Sequence, residues 1–510
     1  MREILVFVIP LTMALTGLLA RSLRPGAAGR LAIAAANAVL LAATVAAGLL
    51  MAHGPMSARW SPFGPESAFA LSVRFEIVAA VMTLLVAFLG RIVLSFSRTY
   101  LAGDPQQSGF FGWMCLTLAS VLTLVISGNL LLFFSAWLAT SLSLHRLLLH
   151  YPNRAGAVFS ARKKFVVSRL ADLCLVAALF LTHRAYGTWE FSALFDAAAA
   201  GQTAALPNIA FLLAIGAALK SAQFPFHSWL PDTMETPTPV SAFMHAGIVN
   251  AGGFLVIRLS PLFVHAPGAL TLLTVVGTLT AAFGAVVMLA QPNVKRALAY
   301  STIAQMGFML LQCGLGAFAL ALLHIVAHSL YKAHAFLTAG STIGALPRAA
   351  KPLRTGALGL GLLASALLVS AAATVLALFI PPAASLYNVF TLVLVLALGY
   401  GLARFWSVVS RIPALIRAVI AALAIGCASM GLHAGTYALL DHLPAPTPPT
   451  GLLVSIAAMF TALFLFQALL WRANSFALGR RLYVHALNGF YVGTIANRIL
   501  NRLWPRSTTS

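Results

Sequence analysis

Titratable side chains occur in this sequence inside long apolar stretches. Lys220 lies near the middle of the apolar run 207–230, and Pro225 follows five residues later. A charge at bilayer depth costs about 3 kcal/mol on insertion scales, so an ionisable residue there indicates a functional site. Proline removes a backbone hydrogen bond and interrupts a helix. A lysine beside an interrupted helix predicts a protonatable centre, and a snorkelling lysine is the alternative.

A second charged pair lies about halfway along the apolar run 164–183. Asp172 is preceded one helical turn earlier by Arg169. The two side chains could form a purely structural ion pair. The other interpretation makes Asp172 a charged neighbour that tunes the proton affinity of a nearby lysine.

A row of basic residues continues the pattern in the run 316–341. His324, His328 and Lys332 are spaced i, i+4 and i+8, which places all three on one helix face, whereas His334 lies on another. Two histidines at i and i+4 could also bind a metal, but no third Cys, Asp or Glu lies nearby in sequence. We therefore predict no metal site and interpret the row as a proton wire.

Two further basic residues are weaker candidates. His245 opens the run 239–259, and a single histidine on an apolar helix is more often a core residue than a relay. Lys295 lies at the end of a run, where a charged anchor and a relay member are equally consistent with the sequence.

The composition requires a membrane environment for these residues. Of 510 residues, 61% are hydrophobic and only 8% are charged, against about 25% charged in an average soluble domain. Mean hydropathy is +0.94. These values exclude a soluble globular or disordered chain and predict an all-α polytopic membrane protein. Runs long enough to cross about 30 Å of hydrocarbon occur at 2–20, 30–52, 75–98, 111–128, 130–150, 164–183, 207–230, 239–259, 268–290, 297–314, 316–341, 357–380, 385–409, 413–436 and 451–472.

Fifteen predicted spans place alternate loops on the same side of the membrane. The net charge of +22 follows this alternation, because one side is rich in Arg and Lys and the other holds little beyond Arg59, Arg74 and Arg184. The positive-inside rule then predicts an N-terminus outside the inner membrane and a C-terminus in the cytoplasm. The basic side carries Arg21, Arg24, Arg30, Arg154, Arg162, Lys163, Arg296, Arg348, Lys351, Arg354, Arg411, Arg480, Arg481, Arg498, Arg502 and Arg506.

The spans also suggest an organisation into five parts. The blocks 111–260 and 261–410 each contain five spans, so the second has the inverted topology common in transporters. N-terminal helices 1–110 precede them, and helices 411–472 and a polar tail 473–510 follow. The first run lacks a clear cleavage site, and we expect it to be a retained helix.

The tail has an apolar stripe of Val492, Ile495, Ile499 and Leu503, which predicts a short basic amphipathic helix. Such a helix could rest on lipid or dock a partner. The docking interpretation rests on the aromatic and arginine groups of the tail: Tyr483, Phe490, Tyr491, Arg498 and Arg502. Cys115, Cys174, Cys313 and Cys427 form no CxxC pair, and no dinucleotide, Walker or haem motif occurs, so we expect no cofactor and no catalytic residue in this chain.

Three segments resemble a known family. The stretches 220–232 with 237–246, 295–307 and 324–332 resemble the antiporter-like subunits of respiratory complex I and of multisubunit cation/proton antiporters. The resemblance covers roughly residues 70–345. It implies that Lys220, His245, Lys295, His324, His328 and Lys332 take part in proton transfer through a hydrated central axis.

Departures from the family pattern point to a specialised branch. The resemblance leads us to expect Trp-Glu in the span 130–150, but here Trp137 is followed by Leu138. The segment matching the second broken helix has no lysine, and we expect no long lateral helix. The segments 250–255 and 481–491 and the span containing His145 resemble the membrane subunit of Dab-type inorganic-carbon accumulation complexes. That resemblance implies a cytoplasmic zinc partner similar to β-carbonic anhydrases, and proton or cation flow that drives carbon dioxide hydration.

Overall fold

The computed structural model describes residues 2–61, 64, 69–341, 355–377, 384–408, 412–440, 443–444, 446–470 and 477–504. Within these ranges the chain is a bundle of α-helices with one short β-hairpin. The helices are α1 (Arg2–Ala20), α2 (Pro25–His53), α3 (Ile77–Tyr100), α4 (Gln107–Ile126), α5 (Leu130–Leu148), α6 (Ala155–Tyr186), α7 (Phe191–Ala199), α8 (Leu206–Lys220), α9 (Trp229–Asp232), α10 (Thr238–Ala246), α11 (Ala251–Arg258), α12 (Ser260–Phe263), α13 (Pro267–Ala290), α14 (Val294–Gly314), α15 (Phe318–Leu337), α16 (Thr355–Ala377), α17 (Ala384–Val408), α18 (Ile412–Leu439), α19 (Thr450–Leu470), α20 (Ala477–Leu487) and α21 (Val492–Leu503).

The distribution of side chains is that of a membrane protein. Large apolar side chains such as Leu173, Phe180 and Ile420 are exposed on the outside of the bundle. Charged side chains such as Lys220 and Lys332 are buried inside it. Eleven helices of the described ranges are long and apolar enough to cross a membrane. This confirms a multi-pass helical membrane protein, but it does not confirm the predicted count of fifteen spans.

Glycines allow two central helices to pack closely. A Cβ added at Gly277 of α13 would lie 2.6 Å from the carbonyl oxygen of Gly307 in α14, and one at Gly284 would lie 2.6 Å from the amide nitrogen of Ala304. Small residues let backbones approach in this way where lipid supplies no hydrophobic drive between helices. This close packing holds α14 directly against α13.

An unpredicted hairpin closes one end of the bundle, here called the hairpin end. Strands β1 (Met56–Trp60) and β2 (Leu71–Phe75) pair antiparallel, with Met56 opposite Phe75. Arg258, at the end of α11, is buried and binds the carboxylate of Glu76 and the carbonyl oxygen of Arg74 at 2.6 Å. The hairpin was missed because it lies between two apolar runs and is only five residues per strand.

The opposite end, on which α20 and α21 lie, is here called the tail end. A loop contact there joins Asp104 to His150 and Tyr151, at 3.1 Å and 3.3 Å from the carboxylate. Burial opposes ionisation of Asp104, but its hydrogen bonds to the Gln106 amide, His150 and Tyr151 prevail and lower its pKa. The contact joins the loop before α4 to the loop after α5.

The described helices correct the predicted run 207–230. Helix α8 ends at Lys220, so this lysine lies at the break itself and not in the middle of a span. A proline ring clashes with the carbonyl four residues earlier, which for Pro225 is that of Ser221. The predicted run 239–259 is also interrupted, by a 3-10 turn at Ile248–Asn250 between α10 and α11.

Some predicted features fall outside the described residues. They include parts of the runs 357–380, 385–409 and 451–472 next to their C-terminal boundaries, and the basic residues Arg348, Lys351, Arg354, Arg411 and Arg506. Within the described range, α21 confirms the amphipathic tail helix, and α20 before it was not predicted.

Candidate functional site

Lys220 ends α8 at an interruption of the helix inside the bundle. Its side chain is buried, and its Nζ makes no hydrogen bond to any described residue. The next residues are irregular, with Ala222 in the left-handed region at φ 50° and a cis peptide before Pro225. Polar atoms of Gln223 and His227 in this segment are likewise buried without a described hydrogen-bonding partner. Irregular backbone at membrane depth is tolerated where it lines a cavity or is buried in protein.

Trp137 of α5 lies between the lysine and the buried acid. The Lys220 ammonium sits 4.3 Å from the centre of the Trp137 ring, a cation–π geometry. The indole N–H of the same ring donates to Asp172 Oδ1 at 3.1 Å. Asp172 pairs in turn with Arg169 at 2.7 Å. The predicted Arg–Asp pair is therefore present, and the Trp137 ring contacts both the acid and the lysine.

Lys164 is a second buried lysine at this centre that the sequence analysis missed. Its Nζ donates to the carbonyl oxygen of Ser141 at 2.7 Å and to its hydroxyl at 2.9 Å. Arg169 donates to the same hydroxyl at 3.2 Å. Lys164, Ser168 and Asp172 share the i, i+4, i+8 spacing used above for the histidine row. That spacing could have indicated Lys164 as a site residue. It was overlooked because the neighbouring Arg162 and Lys163 were interpreted as basic residues of a loop.

The role of the ring can be tested with Trp137→Phe, which keeps an aromatic face for Lys220 but removes the N–H donor. We expect transport to fall about tenfold, because leaving a buried polar acceptor without its donor costs about 1–3 kcal/mol. The transport rate should be measured in membranes holding equal amounts of chain. Trp113→Phe is the matched control, since the Trp113 ring packs against Arg21 and not against the centre. Equal losses in the two variants would contradict a specific role for Trp137.

A second buried centre surrounds His245 on α10. Its Nδ1 lies 3.0 Å from the hydroxyl oxygen of Thr302, which itself donates to the carbonyl oxygen of Leu298 at 3.0 Å. His245 Nε2 is buried and has no hydrogen-bonding partner among the described residues. Lys332 Nζ donates to the same Leu298 oxygen at 3.1 Å. The geometry brings Lys332 and His245 to one polar site.

His328 and His324 extend this centre along α15. His328 Nε2 lies 3.3 Å from the backbone oxygen of His245, and His324 Nδ1 lies 2.8 Å from Gln312 Oε1. The two imidazole centres are 6.0 Å apart. His334 is exposed, which confirms that it lies off this face. Thr302 and Gln312 are additional partners that the sequence did not indicate.

The interruption between α10 and α11 lies between the two centres. Two carbonyl groups freed by this interruption accept hydrogen bonds from side chains. The carbonyl oxygen of His245 accepts from His328, and that of Ala246 accepts from the Asn250 side-chain amide at 2.8 Å. The same amide donates to Ser329 at 2.8 Å. On the other side, the Ser221 hydroxyl donates to the Val249 carbonyl oxygen at 2.8 Å. Buried polar groups therefore continue from the Lys220 break to the α15 row.

Lys295 lies apart from both centres, near the tail end. Its Nζ donates to the Thr238 hydroxyl at 3.0 Å, at the first residue of α10. His245 follows seven residues later on the same helix, about 10 Å along its axis. The side chain is partly exposed, so the structure places Lys295 between the surface and the buried centre.

The tail helices lie across the tail end of the bundle. The docking candidates Tyr483, Phe490, Tyr491, Arg498 and Arg502 are all exposed. Ile495, Ile499 and Leu503 of the predicted apolar stripe are also exposed, because α21 turns Gly493, Asn497 and Leu500 toward the bundle. Among the described residues, no group of three His, Cys, Asp or Glu side chains is arranged to hold a metal ion.

Comparisons with known proteins match this architecture. The family model described as NADH:quinone oxidoreductase/Mrp antiporter, transmembrane, matches residues 127–412. A probable inorganic carbon transporter subunit, DabB2, from Halothiobacillus neapolitanus is 38% identical over 459 residues, which are 86% of this chain and 81% of the relative. The subunit L of NADH-quinone oxidoreductase from Mycobacterium tuberculosis is 36% identical over 355 residues, or 66% of this chain and 56% of that protein.

A solved structure shares the fold over nearly the whole chain. The Mrp complex from Dietzia sp. DQ12-45-1b aligns with a TM-score of 0.60 and 25% identity, covering 99% of this chain and 57% of that one. The matched segment 127–412 contains Trp137, Asp172, Lys220 and the whole histidine row. By both sequence and structure, the chain belongs to the NADH:quinone oxidoreductase/Mrp antiporter transmembrane family.

Proposed function

We propose that this chain is the membrane subunit of an energy-coupled inorganic-carbon uptake complex that conducts protons, or cations, across the inner membrane. The observation that carries the proposal is the set of titratable groups inside the bundle beside two interrupted helices, whose two centres are linked by buried polar groups. Its members are Asp172, Lys220, His245, His324, His328 and Lys332, with Lys295 toward the tail end. Ionisable groups of this kind inside a membrane protein mark ion pathways.

The carbon-uptake branch is supported by sequence similarity and by one substitution. The relative named as an inorganic carbon transporter subunit aligns over 81% of its own length. Leu138 stands where the complex I pattern has an acid, and α5 contains no Asp or Glu. Asp172, reached through the Trp137 indole, supplies the negative charge near Lys220 instead.

A second candidate is a proton-pumping L-like subunit of an NADH-quinone oxidoreductase, or a subunit of a cation/proton antiporter. The 36% identity to a subunit L and the match to an Mrp structure favour it. The candidates differ in their partners, because an L-like subunit works beside redox subunits. The uptake complex would instead contain a cytoplasmic zinc subunit resembling carbonic anhydrases, and zinc and hydration chemistry would belong to that partner.

The orientation follows from the charge pattern. Arg154, Arg162 and Arg296 lie at the tail end, together with the arginines of α20 and α21. We place the tail end in the cytoplasm on the positive-inside rule, and the hairpin end outside. The blocks 111–260 and 261–410 are proposed as inverted repeats, of which the first carries the lysine break.

The function is tested by purification of the tagged full chain from its native membrane. Co-purification of a zinc-bearing cytoplasmic subunit, and restoration of growth in air to a carbon-limited host by the pair, would support the proposal. Co-purification of redox subunits, or sodium- or potassium-dependent proton exchange in vesicles, would instead establish the second candidate.

The exposed face of the tail is proposed as the docking site for the cytoplasmic partner. It combines the apolar stripe of α21 with Arg498 and Arg502, and arginine and aromatic groups are enriched at protein interfaces. The stripe is also short for stable lipid anchoring. The tail is held against the bundle by the Lys163–Asn497 contact and by a hydrogen bond from Gln291 to the carbonyl oxygen of Leu487, and this face of α21 points away from the core.

Truncation of the chain after residue 480 tests docking. We expect partner binding to weaken by about thirtyfold or more, because one aromatic or arginine hot spot contributes about 2 kcal/mol. The membrane core should remain inserted. A chain ending at Trp504 keeps α21 and is the matched control. Retention of the partner by the shorter chain at full-length stoichiometry, measured by pull-down, would show that the tail rests on lipid.

A further inference from the structure

Lys163 joins three separate parts of the tail end. Its ammonium donates to Asp232 Oδ2 at 2.8 Å, to Asn497 Oδ1 at 2.6 Å and to the carbonyl oxygen of Ser228 at 3.3 Å. The side chain is buried. A lysine ammonium has three donors, and these three acceptors use all of them. One side chain of α6 thus holds both the segment after the helix break and the tail helix α21.

The same helix carries the charged groups of the Lys220 centre. Lys164 follows Lys163 directly and binds Ser141, and Asp172 lies nine residues after Lys163. Nine residues of helix span about 14 Å. A displacement of the end of α6 would therefore be transmitted along this helix to the charged groups around Lys220. A displacement of Ser228 and Asp232 would move the segment that begins at Lys220.

The tail covers a polar cavity beside this contact. The cavity has a volume of about 300 Å³. On the tail side it is bounded by Asn488, Thr494 and Asn497, and on the bundle side by Asp232, Arg296 and Tyr300. A Cβ added at Gly493 of α21 would lie 3.7 Å from Ser228 Cβ. The tail helix therefore lies over Ser228 and forms one wall of the space beside the broken helix.

We propose that Asn497 is a positioning residue that connects the docking tail to the proton route through Lys163. A partner bound on the exposed face of α21 holds Asn497 against Lys163, and Lys163 then holds the segment Ser228–Asp232 in the arrangement that leaves the Lys220 break conductive. This inference rests on the proposed function for the identity of the transported ion and of the partner. The Asn497–Lys163 contact itself is independent of that function.

The test uses three variants of the full chain. Asn497→Leu removes the amide oxygen at similar volume, and Asn497→Asp keeps an acceptor for Lys163. Asn501→Leu is the matched control, because it makes the same change one turn later on α21, at an exposed position that belongs neither to the apolar stripe nor to the proposed docking residues. Partner stoichiometry and transport rate are measured on the same membranes. We expect Asn497→Leu to retain the partner but to lose transport about tenfold or more, since a hydrogen bond to a charged group stabilises the connected state by at least that factor. Asn497→Asp and Asn501→Leu should match the wild type.

A second readout does not depend on transport. In a chain whose four native cysteines are replaced by alanine, Ser228→Cys is labelled with a charged maleimide in membranes without the partner. We expect Asn497→Leu to raise the labelling rate about tenfold, and Asn501→Leu to leave it unchanged. Failure of the wild type to take up inorganic carbon would contradict the proposed function alone. Equal labelling in the two leucine variants, or loss of the partner from Asn497→Leu together with transport, would overturn the positioning role.

Discussion

Lys220→Ala is expected to leave the chain inserted and bound to its partner, and to reduce transport by about two orders of magnitude or more, the range typical of general acid–base groups. Lys220 ends α8 at the interruption, and its ammonium is buried against the Trp137 ring without a hydrogen bond to a described residue. Its donors are therefore available to water in the break. A lysine so placed can take up and release a proton, which alanine cannot.

Lys220→Arg separates proton transfer from simple charge. Arginine preserves the positive charge and the cation–π contact, but its guanidinium does not lose its proton in proteins. We expect this variant to be as inactive as Lys220→Ala at equal protein level. Carbon-dependent growth of Lys220→Ala at the wild-type rate would remove the residue from the mechanism. Recovery in Lys220→Arg alone would show that Lys220 acts as a fixed cation.

His328→Ala should reduce the transport rate by about tenfold or more, while His334→Ala should leave it close to wild type. His328 lies between His324 and the carbonyl oxygen of His245, in the buried row of α15. Removing it would interrupt the proposed series of proton-transferring groups, and acid–base groups that act directly contribute about 10²–10⁴-fold. His334 is exposed on the other side of the same helix, so the pair controls for helix propensity and expression.

His328→Gln refines this comparison. The glutamine amide can still donate to the His245 carbonyl oxygen, which preserves the structural bond to the interrupted helix, but it does not titrate. We expect the loss in this variant to equal that in His328→Ala. Uptake rates should be compared in membranes holding equal amounts of each variant. Equal rates in His328→Ala and His334→Ala would contradict a proton wire on this face.

Local composition and spacing were sufficient to predict a multi-pass helical membrane protein and to name most residues of the candidate pathway. Long apolar runs become helices because no other open structure satisfies the backbone in lipid. The i, i+4, i+8 spacing of His324, His328 and Lys332 places them on one face in any α-helix. Pro225 likewise indicated an interruption near Lys220, although the helix ends at the lysine because the ring excludes the preceding turn.

Pairings between helices were decided only by the tertiary structure. The sequence could name Asp172 and Lys220, but not that the Trp137 indole of a third helix lies between them. It could not show that His328 meets a carbonyl group freed at the turn after His245. It predicted the amphipathic α21 without its orientation, in which Asn497 faces Lys163 and the apolar stripe faces outward. These contacts join residues 35 to 334 positions apart, and their formation depends on how the helices pack and not on any local pattern.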